Sequence, residues 1–170
     1  SPKCAVVVAT VRALKLHGDA DSKKLGEENI KALEAGLPNL LRHLENLAKF
    51  NLPTVVAINR FPTDSDNEIS KVQEVCKNSG VNAVLAEHWA HGGKGASKLA
   101  ETVIDVIDNN KENLKFIYDD KDSPEDKIKK ISKEIYRSSE VTFSPQAKKK
   151  LNEISDQGFD NFPVCMAKTQ

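Results

Sequence analysis

The alternation of short β-branched runs with longer amphipathic segments constrains the fold of this chain more than any other feature. Apolar runs of strand length occupy residues 5–9, 52–58 and 83–86. Between them, apolar side chains recur three and four residues apart, as in residues 30–47, which predicts helices. Such alternation favours a mostly parallel sheet with helices on both faces. We therefore predict an α/β fold of the three-layer, P-loop-NTPase-like or Rossmann-like kind, with a helical C-terminal portion.

Local signals predict where several helices begin and end. Ser65–Glu68 has the pattern of a capping box, in which the first and fourth residues satisfy each other's backbone N–H groups. Ser123–Pro124 and Ser144–Pro145 each combine an N-cap residue with proline at the first helical position. Gly80 predicts a left-handed helix end. Pro38 lies within the pattern of the longest helix and predicts a kink or a break there.

Composition excludes several classes of function. The 25 basic and 25 acidic residues balance, so a nucleic-acid-binding surface is not expected. No apolar run approaches the roughly 20 residues that a membrane span needs. The three cysteines (Cys4, Cys76 and Cys165) are odd in number and widely spaced, which favours a reducing, cytoplasmic compartment over a disulfide framework. We expect no metal site, because no zinc-type spacing of cysteine or histidine occurs.

Polar clusters follow these three apolar runs and a fourth run at residues 163–167. They occupy residues 10–18, 59–64, 88–95 and 168–170. Ligands of parallel α/β sheets bind beyond the carboxyl ends of the strands. We therefore expect the four clusters to share one edge, where cations, an amide, hydroxyls and aromatic rings suit a phosphorylated heterocyclic ligand.

The chemistry of single clusters leaves alternatives open. Arg12 and the basic residues that follow it in the first cluster either bind anionic groups or are solvated residues at the start of a helix. Asn59 can read the edge of a heterocycle and Phe61 offers a stacking face, or the loop is an Asx-type turn with Asp64 as a cap. Trp89 belongs to the ligand site or to the core. The glycines that follow allow close backbone approach, although they do not form a Walker A sequence. The residues alone thus indicate an anion- and ring-binding edge without a complete catalytic apparatus.

Five motifs, taken in order, resemble the central portion of formate–tetrahydrofolate ligase. They lie at residues 8–15, 55–64, 89–95, 126–136 and 163–170, so the resemblance covers essentially the whole chain. The short link between His17 and Glu28 is more similar to the bacterial single-function enzyme than to the eukaryotic multifunctional one.

This resemblance implies an ATP-dependent ligase that joins formate to N10 of tetrahydrofolate through formyl phosphate. The family uses Mg²⁺ and a monovalent cation, and its members are typically homotetramers. We expect residues 1–170 to be a single α/β domain, an excised central portion of the ligase, with a βαβαβα core at 1–112 and a helical extension with a final strand at 113–170. Alone it is expected to be inactive, because the family's phosphate-binding loop lies upstream. The alternative is a non-catalytic nucleotide- or folate-binding module, or a subunit-assembly module.

The resemblance also implies a set of nucleotide- and folate-binding residues. These residues are expected to contact small-molecule ligands at the shared edge: Asn59, Arg60, Phe61, Trp89, Gly92, Gly93, Lys94, Lys15, His17, Lys168 and Thr169. Two positions depart from the family pattern, since Asp19 and Arg137 stand where the family has glycine. At Arg137 the departure puts the end of a helix in question, because a left-handed cap costs more without glycine.

Overall fold

The structure is a computed structural model that describes residues 2–111 and 113–167 of the 170-residue chain. It forms two compact units, residues 1–115 and 116–170. Three strands and seven helices occur among the described residues: β1 Ala5–Ala9, α1 Val11–His17, α2 Ile30–Ala48, β2 Thr54–Asn59, α3 Asp66–Asn78, β3 Asn82–Ala86, α4 His88–His91, α5 Ser97–Asn109, α6 Pro124–Glu134 and α7 Pro145–Asp156. None of these helices is long and apolar enough to cross a membrane.

The first unit is built on a parallel sheet. Within the described chain the strand order is β1–β2–β3, and both pairings are parallel. Central β2 has its four middle residues buried, Val55 to Ile58. Strands that are buried on both faces are typical of parallel sheets with helices on each side. The predicted α/β fold with a parallel sheet is confirmed.

Helices α1, α2 and α3 pack with one face of the sheet. Val56 and Ile58 of β2 belong to a core that also contains Leu33 and Leu37 of α2 and Val72 of α3. On the other face of β2, Val55 and Ala57 are also buried, and α5 contacts β2 and β3. Burying such side chains contributes about 1.5–3 kcal/mol each.

Helices α1 and α2 cross with their backbones in contact. A Cβ atom placed on Gly18 would lie 1.8 Å from the carbonyl oxygen of Ala32, and one placed on Gly36 would lie 1.8 Å from that of Leu14. Only glycine permits this approach. The crossing fixes the position of α1, which carries the first polar cluster.

Helix ends follow the local signals, whereas of the two alternatives predicted at Pro38, a kink or a break, the break is wrong. Ser65 and Glu68 form the complete capping box, and Ser123 and Ser144 each cap a helix that starts with proline. Helix α2 continues through Pro38. A proline removes one backbone hydrogen bond, but the buried leucines on both sides hold the helix against the core.

A buried ion pair connects α1 to α3. The Lys15 Nζ atom lies 2.8 Å from Glu68 Oε1, and neither side chain is exposed to solvent. Lys15 also donates to the Glu27 carbonyl at 2.8 Å, and Glu68 accepts from the backbone N–H groups of Asn29 and Ser65 at 2.9 and 3.2 Å. Burial acts to raise the pKa of Glu68, but the hydrogen bonds from Lys15, Asn29 and Ser65 together lower it.

The second unit contains another buried lysine, Lys127. Its Nζ atom donates to the backbone carbonyls of Asp120, Asp160 and Phe162, and it lies 5.8 Å from the centre of the Tyr118 ring. The ammonium group therefore joins the segment before α6 to the segment after α7.

The final strand predicted near the end of the chain is not formed in the described residues, Pro163 to Ala167. The Tyr118 hydroxyl accepts from the Val164 N–H at 3.0 Å and donates to the Val164 carbonyl at 3.3 Å. The Phe162 carbonyl accepts from Lys127. These groups are consequently engaged by side chains instead of a strand ladder.

Asp19 and Arg137 both adopt the left-handed conformation. The φ angle is 63° at Asp19 and 55° at Arg137. Aspartate visits this region more readily than arginine, because its short side chain can hydrogen-bond locally. The backbone at Arg137 is thus strained.

The ion pair predicts a pH-dependent stability. Lys15→Met is expected to lower the free energy of unfolding by about 3–5 kcal/mol, because it leaves Glu68 buried without its cation. Because the folded-state pKa of Glu68 lies below its ordinary value of 4.5, its stabilisation is present above about pH 4.5 and is lost as the pH falls through the folded pKa. Urea unfolding followed by circular dichroism at several pH values measures both effects.

Two variants serve as controls for this prediction. Lys77→Met removes an exposed lysine at the end of α3 and should change stability by less than about 0.5 kcal/mol. Glu68→Gln should flatten the acid dependence, since it removes the titrating group. An acid dependence as steep in Glu68→Gln as in the parent chain would contradict the assignment to Glu68.

Arg137→Gly is expected to stabilise the second unit by about 1 kcal/mol. Relief of left-handed strain contributes about 1–2 kcal/mol, and the greater freedom of glycine in the unfolded chain offsets about half of it. Tyrosine fluorescence during urea unfolding measures this, because both tyrosines, Tyr118 and Tyr136, lie in that unit. Arg137→Ala controls for lost side-chain contacts and should not stabilise; equal gains in the two variants would refute the strain argument.

Candidate functional site

The carboxyl edge of the sheet brings together three of the four predicted clusters. Ala9 is paired with Ile58, and Asn59 with Ala86, so the three strands end at one level. Thr10 then caps α1, accepting the Ala13 N–H at 3.1 Å. The loop after β2 and helix α4 after β3 leave from the same edge. The fourth cluster, residues 168–170, lies outside the described residues.

The loop after β2 is closed by Asp64. One carboxylate oxygen accepts the Phe61 N–H at 2.8 Å, and the Asp64 N–H donates to the Phe61 carbonyl at 3.0 Å. Asp64 is only 5% exposed. Asp64 thus closes this turn on Phe61, three residues earlier in the chain, while Ser65 is the cap of α3. This turn holds Phe61 in place at the edge and does not exclude a ligand there.

Arg12 of α1 reaches across to this loop. Its Nη2 atom donates to Thr63 Oγ1 at 2.9 Å, and its Cζ atom lies 4.6 Å from the centre of the Phe61 ring. Cation–π contacts of this length contribute about 0.5–2 kcal/mol. The first and second clusters are thereby joined through side chains.

Arg60 joins the second cluster to the third. It donates to Asp66 Oδ1 at 2.9 Å, and it lies 3.6 Å from Glu87 Oε1. Its backbone N–H donates to the Ala86 carbonyl at 3.4 Å. Two carboxylates already neutralise this arginine, so an anionic ligand at Arg60 would have to compete with them. A cleft of about 210 Å³ lies here, lined by Arg60, Phe61, Pro62, Glu87 and Ala90.

Trp89 is on the surface, which decides between its two interpretations. Its side chain is 79% exposed, so the interpretation as a core residue is wrong. Strand β3 ends at the sheet edge and the chain enters the short helix α4, which contains no buried residue. An indole exposed at the edge of a sheet is available for stacking.

The glycines after α4 have different roles. A Cβ atom on Gly95 would lie 2.3 Å from the Glu87 carbonyl oxygen, and the Glu87 N–H donates to the Gly95 carbonyl at 3.0 Å. The contacts of Gly95 with Glu87 therefore close the loop between these two residues. Gly92 has a φ of 57°, and both Gly92 and Gly93 face open space. A larger cavity of about 560 Å³ adjoins this turn, and its polar lining residues are Gln73, Glu87, His91, Lys94 and Lys98.

The remaining predicted site residues differ in how far they are exposed to solvent. Asn59 ends β2 and is partly buried. His17 ends α1 and is exposed. Lys15 is fully buried in its ion pair with Glu68, two residues before His17. Lys168 and Thr169 lie outside the described residues.

Neither Glu87 nor the stacking of Arg12 on Phe61 is predicted from the sequence. Glu87 follows β3 directly, but no spacing in the sequence relates it to Arg60, 27 residues earlier in the chain. Arg12 was a candidate for binding anions, whereas its contact with Phe61 depends on the strand register. Only the pairing of β1 with β2 brings the two residues together.

Among the described residues, the buried thiol of Cys76 is not an activated nucleophile, and no metal cluster is found. Burial raises the pKa of the Cys76 thiol to about 11, so it stays protonated at neutral pH. No three histidine, cysteine, aspartate or glutamate side chains in residues 2–111 and 113–167 are grouped to hold a metal ion.

This arrangement defines a class of protein: a parallel α/β unit whose carboxyl edge presents rings, an amide and cations, as in enzymes that bind nucleotides and related heterocycles. The family follows from sequence comparison. A family model described as formate–tetrahydrofolate ligase matches residues 1–170. The chain belongs to the formate–tetrahydrofolate ligase family.

Two curated relatives illustrate the match. The formate–tetrahydrofolate ligase of Pelagibacter ubique (strain HTCC1062) is 45% identical over 169 residues, and that of Maricaulis maris (strain MCS10) is 47% identical over 169 residues. In both cases the match covers 99% of this chain and 30% of the relative. The chain thus spans about a third of the length of these relatives.

Asp64→Ala is expected to loosen the Phe61 turn. It removes the acceptor of the partly buried Phe61 N–H, which costs about 1–3 kcal/mol. Amide hydrogen exchange should show Phe61 losing its protection in this variant. Asp64→Asn retains an acceptor oxygen and should keep most of the protection; equal protection of Phe61 in Asp64→Ala and the parent chain would disprove the role given to Asp64.

Proposed function

We propose that this chain is part of an ATP-dependent ligase that forms 10-formyltetrahydrofolate from formate and tetrahydrofolate. The observation that carries the proposal is the family match over the whole chain, at 45–47% identity to proteins named formate–tetrahydrofolate ligase. In this reaction formate attacks the terminal phosphate of ATP, giving formyl phosphate and ADP. The N10 amine of the folate then attacks the formyl carbon and releases phosphate.

The chain's part in that reaction is to supply a binding edge for the ring and the charged groups of the substrates. The shared level of the strand ends and the contacts among the three loops support this assignment. The proposed contacts are the ring-binding and polar residues Asn59, Arg60, Phe61 and Trp89, the turn residues Gly92, Gly93 and Lys94, and the remaining residues His17, Lys168 and Thr169. Positioning and charge stabilisation are the main contributions that proteins make to phosphoryl transfer.

In this proposal Lys15 contributes to the site through the fold and does not contact a ligand. Its ammonium group is buried and bonded to Glu68 and to the Glu27 carbonyl. Direct contact with a phosphate would break a buried pair, which is costly. We assign Lys15 the role of fixing α1, while the exposed His17 at the end of α1 and Lys94 in the turn after α4 are available to anionic groups.

The proposal also includes the requirements of the whole ligase. We propose Mg²⁺ as the partner of the ATP phosphates, a monovalent cation, a homotetrameric assembly and a cytoplasmic location. Three free cysteines, Cys4, Cys76 and Cys165, support a reducing compartment. We further propose that the chain alone is inactive, because its glycine turn lacks the Walker A pattern.

Titration of the 170-residue chain with ATP and with tetrahydrofolate tests the proposal. Trp89 is the only tryptophan and is exposed near the cleft, so its fluorescence should change saturably on binding. Phe61→Ala should weaken binding of the stacked ligand about twofold to tenfold, since aromatic stacking contributes about 0.5–1.5 kcal/mol beyond area burial. Calorimetry gives the affinities.

Phe116→Ala is the matched control, because Phe116 is an exposed phenylalanine of the second unit. It should leave both affinities unchanged. Formation of 10-formyltetrahydrofolate by the chain alone would overturn the proposed inactivity. Absence of binding together with self-association would favour the subunit-assembly alternative.

A further inference from the structure

We propose that Arg12 is a positioning residue that fixes the Phe61 ring and leaves one face of that ring for the ligand. The inference rests on the proposed function, in which Phe61 stacks on a ring of the substrate. It assigns Arg12 a role that sequence patterns do not indicate, since lone basic residues near a strand end are read as anion ligands.

The Phe61 ring is held from two directions. Asp64 fixes its backbone through the hydrogen bond to the Phe61 N–H at 2.8 Å. The Arg12 guanidinium lies over one face of the ring, with Cζ 4.6 Å from the ring centre. A side chain clamped in this way loses little further entropy when a ligand stacks on it.

Arg12 is itself fixed by the fold. It lies in the first turn of α1, behind the Thr10 cap, and α1 is held by the Gly18–Gly36 crossing. Its Nη2 atom is held by Thr63 Oγ1 at 2.9 Å. The guanidinium is therefore oriented by a hydroxyl and a ring, both on the loop after β2.

No carboxylate of the described residues pairs with Arg12. The ion pairs at this edge involve Arg60, which lies against Asp66 and Glu87. The Arg12 Nε atom is buried and has no hydrogen-bond partner among the described residues. The charge of Arg12 thus acts on the Phe61 ring without being neutralised by an ion pair.

This placement has a consequence for the kind of ligand that Phe61 accepts. A guanidinium on one face draws π-electron density towards itself, so a second cation on the other face is disfavoured. A neutral heterocycle stacked on the open face is favoured. Arg12 accordingly selects for neutral rings at Phe61, and it does so without touching the ligand.

Nuclear magnetic resonance of the 170-residue chain tests the positioning without any ligand. Arg12 side-chain protons should be shifted upfield by the Phe61 ring current, and Phe61→Leu should abolish that shift. Thr63→Val, which removes the hydrogen bond to Nη2 and leaves Arg12 unchanged, should reduce it. Unshifted Arg12 protons in the parent chain would overturn the proposal even if the ligase function is correct.

Ligand titrations test the consequence for binding. Phe61→Ala identifies which of ATP and tetrahydrofolate stacks on the ring. Arg12→Met should weaken the binding of that same ligand by about threefold to tenfold. It should leave the affinity for inorganic phosphate unchanged. Arg12→Lys, which keeps a cation, should restore part of the loss. Arg42→Met removes a partly buried arginine of α2 that pairs with Glu45, and it should leave these affinities unchanged.

Each outcome of these titrations is decisive. Equal loss of phosphate and ring affinity in Arg12→Met would make Arg12 an anion ligand and refute the positioning role. Full affinity in Arg12→Met, with loss in Phe61→Ala, would also refute it. If the parent chain binds neither ATP nor tetrahydrofolate, the proposed function fails for this chain, whereas the ring-current shifts still support or overturn the placement of Arg12.

Discussion

The parallel register of the three strands is the constraint on which the candidate site depends. Ala9 pairs with Ile58 and Asn59 with Ala86, so three loops from distant parts of the sequence start at one level. A slip by one residue would turn the buried side chains of β2 to the opposite faces of the sheet. Register is therefore fixed by the core, and the proximity of Arg12, Phe61 and Glu87 is a consequence of it.

The buried pair of Lys15 and Glu68 extends this constraint from the sheet to the loops. Removing two charges from water is costly, so such a pair is weak evidence for stability by itself. Here it also satisfies the Glu27 carbonyl and the Asn29 N–H, which belong to the link between α1 and α2. Apolar replacements would leave those backbone groups unpaired. The pair thus fixes the position of α1, and of the segment that links α1 to α2, relative to α3.

Much of the fold could be predicted because its signals are local. The capping box at Ser65–Glu68 and the strand runs need only neighbouring residues, and both are confirmed. Other features depend on partners distant in sequence. Trp89 is exposed because β3 ends at the sheet edge, and residues near Val164 are not a strand because Tyr118 engages their backbone. The Arg12–Phe61 contact likewise required the register of β1 with β2.

The cations of this edge show why residue type alone misjudges a binding site. In the sequence, Lys15 and Arg12 are candidate anion ligands, and Arg60 is a predicted contact at the same edge. In the structure Lys15 is buried against Glu68, and Arg60 lies between Asp66 and Glu87. Arg12 has no carboxylate partner among the described residues and rests on the ring of Phe61. Two of the three charges therefore hold the fold together, and the third rests on the ring, so the arrangement of this edge is built around the aromatic face of Phe61.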